Sequence, residues 1–410
     1  MLDVIKMDTD SLEPGMYVSG LDRPWLGTPF LLQGFQITSN DEVRKLREYC
    51  QYVFIDIRKS QQQSPAVKRR RVEQRPRLSR QDMFPRRQLN QYRDEAGWTE
   101  EFPRAESAVA QLHEGIEDIF GQVRGNDAVD VIRVKRSVEP MIDSISRNPD
   151  ACIWLARLKH QDKYTYQHSV AVSIWAVALG RQLGLPRSDL RSLAIGGLLF
   201  DIGKLRVAPE LLNSIHPLSQ EEIDKLREHV RHGVEMIGET GLMNTDVLDM
   251  VAHHHERHDG SGYPQGLAGD DIPIFGRIAG IVDCYDAITS QRSYADPMSP
   301  SAAIKILHNA KDADFQAELV EEFIQAVGIY PAGTLVELSS GHVAVVVAEY
   351  RTRRLRPRLM VLLDADKQAV NEVSMLDLLT DTQCDDGSPL EIVRSLEPGA
   401  HGIDMNSIQL

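Results

Sequence analysis

The chain has 410 residues, 42% of them hydrophobic and 26% charged, with a formal net charge of −14. This composition suits a folded chain of two or three domains with room for a sizeable core. It excludes a membrane-spanning segment, since no apolar run reaches the ~20 residues a bilayer crossing needs.

The opening Met1-Leu2-Asp3-Val4-Ile5-Lys6-Met7-Asp8 is acidic and lacks the layout of a signal peptide. Cys50, Cys152, Cys284 and Cys384 are scattered, which argues against a disulfide framework or a thiolate zinc site and points to a reducing cytoplasm. Charge is unevenly spread. Residues 58–93 hold 12 Lys/Arg and 2 Asp/Glu, leaving 34 against 58 elsewhere. The acidic bulk argues against a surface for nucleic-acid polymers. An anionic substrate then needs a local positive centre such as a metal.

In chain order, residues 1–57 read as a small mixed α/β domain. Short apolar runs at Met16-Tyr17-Val18 and Phe30-Leu31-Leu32 alternate with Pro/Gly turns. Asp41 to Tyr49 predicts a helix and Tyr52 to Ile57 a closing strand. Residues 58–98 are Gln/Arg/Pro-rich and read as a basic flexible linker. The cluster Lys68-Arg69-Arg70-Arg71 fits a solvated linker better than a contact with nucleic acid, lipid or the protein's own acidic surface.

Residues 99–149 predict connecting helices, with Val109, Leu112, Ile116, Ile119 and Phe120 at spacings of three and four. A domain of amphipathic helices spans 150–330. One covers 164–183 and stops at Gly184, with Pro186 beyond. Ser188 is the expected cap of the next, through Leu190, Leu193, Ile195, Leu198 and Leu199. Beyond 330 the period changes. Gly333 to Leu338, a turn at Ser340-Gly341, and Val343 to Ala348 predict a β-hairpin, with Arg358 to Leu363 as a third strand of a β-rich segment 331–410.

Chemistry concentrates in the helical domain. His253, His254, His255 and His258 fall within six residues, between an amphipathic helix and the turn Asp259-Gly260-Ser261-Gly262-Tyr263-Pro264. Neutral imidazoles suit borderline metals, although histidines at a helix end also complement its dipole. Asp201 and Asp283 interrupt apolar runs, and a buried carboxylate needs a cation. Lys204 or a metal could serve Asp201. His168 and His229 lie on further helices. Five segments each offering His or Asp beside apolar positions suit mixed ligation of Fe, Mn, Zn, Ni or Co.

These residues, in this order, resemble the HD-GYP family of the HD phosphohydrolase superfamily. The strongest match is His254-His255-Glu256-Arg257-His258-Asp259-Gly260-Ser261-Gly262-Tyr263-Pro264. Others are Asp283-Cys284-Tyr285-Asp286-Ala287-Ile288-Thr289, Arg292-Ser293-Tyr294, Asp201-Ile202-Gly203-Lys204, His168-Ser169, and His229 with Gly233. The likeness covers roughly residues 150–330, and residues 1–57 resemble a small domain that often precedes this module.

The resemblance implies a mainly α fold: an HD-type helical bundle core with a small N-terminal α/β domain and a β-rich C-terminal segment. It implies metal-dependent hydrolysis of cyclic di-GMP, a bacterial second messenger, to pGpG or GMP. The matching metal positions are His168, Asp201, His229, His254, His255 and Asp283, for two divalent ions. Asp201 and Lys204 match catalytic positions. Lys204, Arg292 and Tyr263 match substrate-binding ones. The loop Gly262-Tyr263-Pro264 could also take signalling proteins, and a homodimer through helix 105–123 is open.

Three departures bear on activity. Phe200 stands where the namesake His is expected, Tyr164 where some members carry an acid, and Ala295 where a substrate-contacting base is expected. The active reading is a two-metal phosphodiesterase. Its rival is a degenerate module that binds cyclic di-GMP or signalling partners without turnover.

Overall fold

The computed structural model describes residues 4–22, 35–56, 60, 77–125, 129–157, 164–212, 214, 216, 218–241, 244–290, 297–350, 353–384 and 386–405. Arg292 and the cluster Lys68-Arg69-Arg70-Arg71 lie outside these residues. The chain divides into two compact units, Met1–Arg77 and Leu78–Leu410.

The first unit is an antiparallel sheet of β1 (Val4–Asp8), β2 (Tyr17–Leu21), β3 (Phe35–Gln36) and β4 (Tyr52–Asp56), in the order β1-β4-β2-β3. Helix α1 (Asn40–Tyr49) precedes β4. Ser39 and Glu42 start it with a reciprocal capping box, and its Val43 and Leu46 are buried. They join Met7, Met16, Val18, Ile37, Val53 and Ile55 in one core.

The second unit is helical for most of its length. It contains α2 (Arg80–Met83), α3 (Trp98–Arg124), α4 (Val131–Arg147), α5 (Pro149–Arg157), α6 (Tyr164–Leu183) and α7 (Arg187–Leu199). A 3-10 turn (Ile202–Arg206) follows, then α8 (Pro209–Leu212), α9 (Gln220–Arg227), α10 (His229–Gly238), α11 (Thr245–His253), α12 (Ile274–Thr289), α13 (Pro300–Asn309) and α14 (Ala317–Val327). Helix α6 is the axis. Every residue from Gln167 to Arg181 is buried, as expected of a helix enclosed by others. It packs on α5, α7, α12 and α14. The mainly α class with a β-rich C-terminal part agrees with the sequence-based expectation.

Three details differ from that expectation. Residues 78–98 are fastened to the helices rather than loose. Met83 and Phe84 are buried, and Arg87 bridges Asp189 at 2.6 Å and Asp246 at 2.8 Å. The Tyr92 hydroxyl donates to the Leu185 carbonyl at 2.9 Å. Two apolar anchors and ion pairs with the acidic helices overcome the polar composition. Ser188 does not cap α7. Pro186 holds the cap position, and its carbonyl accepts from Leu190 N at 3.1 Å, which puts Ser188 inside the first turn. The C-terminal sheet has five strands: β5 (Leu335–Leu338), β6 (Val343–Ala348), β7 (Arg358–Leu363), β8 (Ala369–Asp377) and β9 (Ile392–Ser395). Their order is β8-β7-β6-β5-β9. The first three lie where the sequence pattern puts them. The last two lack an unbroken apolar run.

One glycine brings the 3-10 turn onto α10. A Cβ on Gly203 would lie 1.9 Å from the His229 carbonyl oxygen and 2.4 Å from Gly233 N. Both are backbone atoms and have no side-chain freedom to yield. Gly203→Ala should therefore destabilise the chain by at least about 1–3 kcal/mol. Gly238→Ala, with nothing within 4 Å of its Cβ position, should be neutral or slightly stabilising. Urea unfolding midpoints of the two variants test this. Equal midpoints would contradict the close approach.

Candidate metal centre

Every residue from Ser192 to Phe200 is buried, so α7 delivers Asp201 into the interior. Asp201 is 5% exposed and has no bulk water to solvate its charge. Its two oxygens face different partners. Oδ2 accepts from Lys204 Nζ, one 3-10 turn on, and lies 3.7 Å from His168 Nε2. Oδ1 makes no hydrogen bond. It faces His229 Nε2 at 3.4 Å and His254 Nε2 at 3.7 Å.

The tautomers of those two imidazoles follow from what lies behind them. His229 Nδ1 is 2.8 Å from the Leu226 carbonyl, and His254 Nδ1 is 3.0 Å from that of Val251. A carbonyl only accepts, so each Nδ1 carries the hydrogen and each Nε2 presents a lone pair. Burial favours the neutral form of both rings and pushes His254 down to about 4. Burial also holds His255 well below the usual histidine range. At neutral pH, acceptors therefore face acceptors: a carboxylate oxygen against imidazole lone pairs, 3.4 Å or more apart.

Burial would raise the Asp201 pKa, but the charge of Lys204, with that of His168, outweighs it and keeps the carboxyl ionised. Asp201, His229, His254 and His255 each offer a ligand atom, and the four atoms lie within 4.8 Å of one another. A divalent cation satisfies this donor set better than any neutral partner, because each facing atom needs positive charge.

On the Oδ2 side, His168 lies between carboxylates. Its Nε2 is 3.2 Å from Asp283 Oδ1, and its Nδ1 is 2.7 Å from Asp286 Oδ2. Burial disfavours its charge, yet Asp283 and Asp286 outweigh that and push the imidazole up to about 9. Burial would likewise raise Asp283, but His168 holds it well below the usual carboxylate range.

Phe200 is fully buried between the two sides. Its ring is edge-on to His168 at 5.4 Å and to His254 at 4.9 Å between centroids. It packs against the imidazoles and donates nothing.

The motif loop closes over His255. The Tyr263 ring stacks on the His255 ring, with centroids 4.5 Å apart and planes 24° apart, and the Arg227 guanidinium sits 4.7 Å from the Tyr263 centroid. Buried Glu256 holds the loop by accepting from Gln265 N at 2.8 Å and Leu267 N at 3.0 Å.

The structure thus brings His168, Asp201, Lys204, His229, His254, His255, Asp283 and Tyr263 into one place. His253 is not in the group of four. Its Cβ would lie 2.7 Å from a side chain at Gly276 of α12. Sequence reasoning gave no role to Asp286, Glu256 or Arg227. The three-residue spacing of Asp283 and Asp286, which places both on one helix face, was the available signal for the first.

Comparison with known proteins identifies the family. Residues 141–319 match the family described as an HD domain, residues 4–134 a domain of unknown function, and residues 335–385 a KOW domain associated with the HD domain. A Pseudomonas aeruginosa protein named cyclic di-GMP phosphodiesterase is 33% identical over 377 residues, 91% of this chain and 88% of its own. A Vibrio cholerae 3'3'-cGAMP-specific phosphodiesterase is 33% identical over 166 residues, 40% of this chain and 32% of its own. A Xanthomonas campestris cyclic di-GMP phosphodiesterase response regulator is 29% identical over 193 residues, 47% of this chain and 51% of its own. With the first relative matched along nearly its whole length, and the motif from His254 to Pro264 folded over a His/Asp cluster, the chain belongs to the HD-GYP family of HD-domain proteins.

Proposed function

We propose that this chain is a divalent-metal-dependent phosphodiesterase that hydrolyses cyclic di-GMP to pGpG, GMP or both. The observation that carries this reading is the Asp201 carboxylate, whose two oxygens face two separate donor sets. His168, Asp283 and Asp201 would hold one ion. Asp201, His229, His254 and His255 would hold a second. The donors suit Fe or Mn, and also Zn, Ni or Co. Bound ions of this kind acidify water and take up charge on phosphoryl oxygens.

The chain's own groups supply the rest. The Lys204 ammonium, held at Asp201 Oδ2, places a proton and a positive charge beside the reacting phosphate. In the stack of Arg227, Tyr263 and His255, the guanidinium is a cation suited to a substrate phosphate, and Tyr263 forms part of the wall beside it. Arg292 is proposed as a further phosphate contact on its sequence position alone. Cyclic di-GMP is preferred over 3'3'-cGAMP because the relative matched over 91% of this chain is named for it.

The direct test is incubation of the purified protein with cyclic di-GMP and, separately, 3'3'-cGAMP, with Mn or Fe under reducing conditions. Linear product from cyclic di-GMP, abolished by chelation, is expected. Binding of cyclic di-GMP without product under any metal condition would favour the degenerate module instead.

Three variant predictions accompany this reading. Asp201→Asn removes charge from the carboxylate shared by both donor sets and should lose bound metal and turnover together; retained turnover would contradict its place. Lys204→Met should keep the metal and lower kcat by about 10²–10⁴. Phe200→His adds a donor between the two sides and should raise metal content per chain, measured by elemental analysis. Unchanged content would mean the ring occupies no ligand position.

A further inference from the structure

One fully buried carboxylate has no part in the reading above. Asp286 is 0% exposed, and both of its oxygens accept hydrogen bonds. Oδ1 accepts from Trp175 Nε1 at 3.2 Å. Oδ2 lies 2.7 Å from His168 Nδ1 and 3.0 Å from the Ser290 hydroxyl, whose hydrogen it shares with the Asp286 carbonyl. Three donors, His168 and Trp175 from α6 and Ser290 from the end of α12, converge on one group, which therefore sits in a fixed position. His229 and His254 differ. Behind each of those rings stands a neutral carbonyl.

We infer that Asp286 is a positioning residue for the metal centre: its carboxylate orients His168, keeps the hydrogen on Nδ1, and makes Nε2 a stronger donor toward the space shared with Asp201 and Asp283. An imidazole whose far nitrogen donates to a carboxylate is both fixed in tautomer and more basic than one donating to a carbonyl. The need is local. Phe200 packs edge-on against His168 and offers no donor, so the ion on this side has few protein ligands and depends heavily on His168. The carboxylate is specified over an amide. An Asn at this position would turn an NH2 toward either the Trp175 N–H or the His168 Nδ1–H, setting donor against donor.

The inference rests on the metal-centre reading, and its test separates the two. Co2+ is titrated into metal-free full-length protein, followed by its visible absorption, and each variant's unfolding midpoint is measured alongside. His168→Ala should abolish one Co2+ equivalent. Asp286→Asn should weaken that same equivalent about 10–100-fold, alter its absorption band, and have no further effect in the His168→Ala background. Ser290→Ala, which removes one holder of the carboxylate without touching the ligand, should weaken it in the same direction by a smaller factor. It also keeps the inference open to refutation if Asp286→Asn fails to fold. Unchanged Co2+ affinity in these variants overturns the inference, as does a loss that persists in the His168→Ala background. A wild-type chain that takes up no Co2+ overturns the metal-centre reading itself, and the inference with it.

Discussion

The Oδ1 atom of Asp201 is the constraint on which the rest of the site depends. It is buried, charged and without a hydrogen bond, and it faces imidazole nitrogens whose hydrogens are committed elsewhere. An ionised carboxylate in the interior is costly unless positive charge compensates it. Lys204 serves only the other oxygen. The fold holds several acceptors together that would separate if nothing positive came between them. That arrangement is unfavourable for stability alone and suited to binding a cation.

The fold meets this cost by making each approach rigid. Helix α7 is buried along its second half, so Asp201 is held almost wholly out of solvent. Gly203 lets the following turn lie against the backbone of α10, which fixes His229 opposite Asp201. The end of α11 supplies His254 and His255, and Glu256 ties the next loop by two backbone N–H groups so that Tyr263 covers His255. On the far side α6 and α12 present His168, Asp283 and Asp286 from positions enclosed by other helices. The carbonyls and the carboxylate behind the histidines matter as much as the rings, since they decide which nitrogen faces the shared space.

Much of the site was legible in the sequence because its chemistry conflicts with its surroundings. Asp201 and Asp283 stand out inside apolar runs, and four histidines in six residues stand out anywhere. Helices with strong apolar periodicity were equally legible, as was the hairpin of β5 and β6. Less was legible where the answer lies in a long-range partner. Asp286 belongs to the same apolar helix as Asp283, but its role depends on His168, 118 residues away. Residues 78–98 look like linker by composition, and only the positions of Asp189, Asp246 and Glu322 give Arg80 and Arg87 a use. Strands β8 and β9 carry polar residues among their apolar ones, so no unbroken apolar run announces them. The proline at the start of α7 displaced Ser188 from the cap by two residues, a local effect that residue preferences alone do not resolve.

Phe200 concentrates the question of activity. Its ring packs against His168 and His254 and leaves six His and Asp side chains still converging on one space. The central claim is that this space holds metal on both sides of Asp201, and anomalous X-ray scattering from crystals grown with Mn or Fe measures that directly. The account predicts two peaks, one beside His168 and Asp283 and one beside His229, His254 and His255, with the Asp201 carboxylate between them. No peak within bonding distance of Asp201 would contradict it.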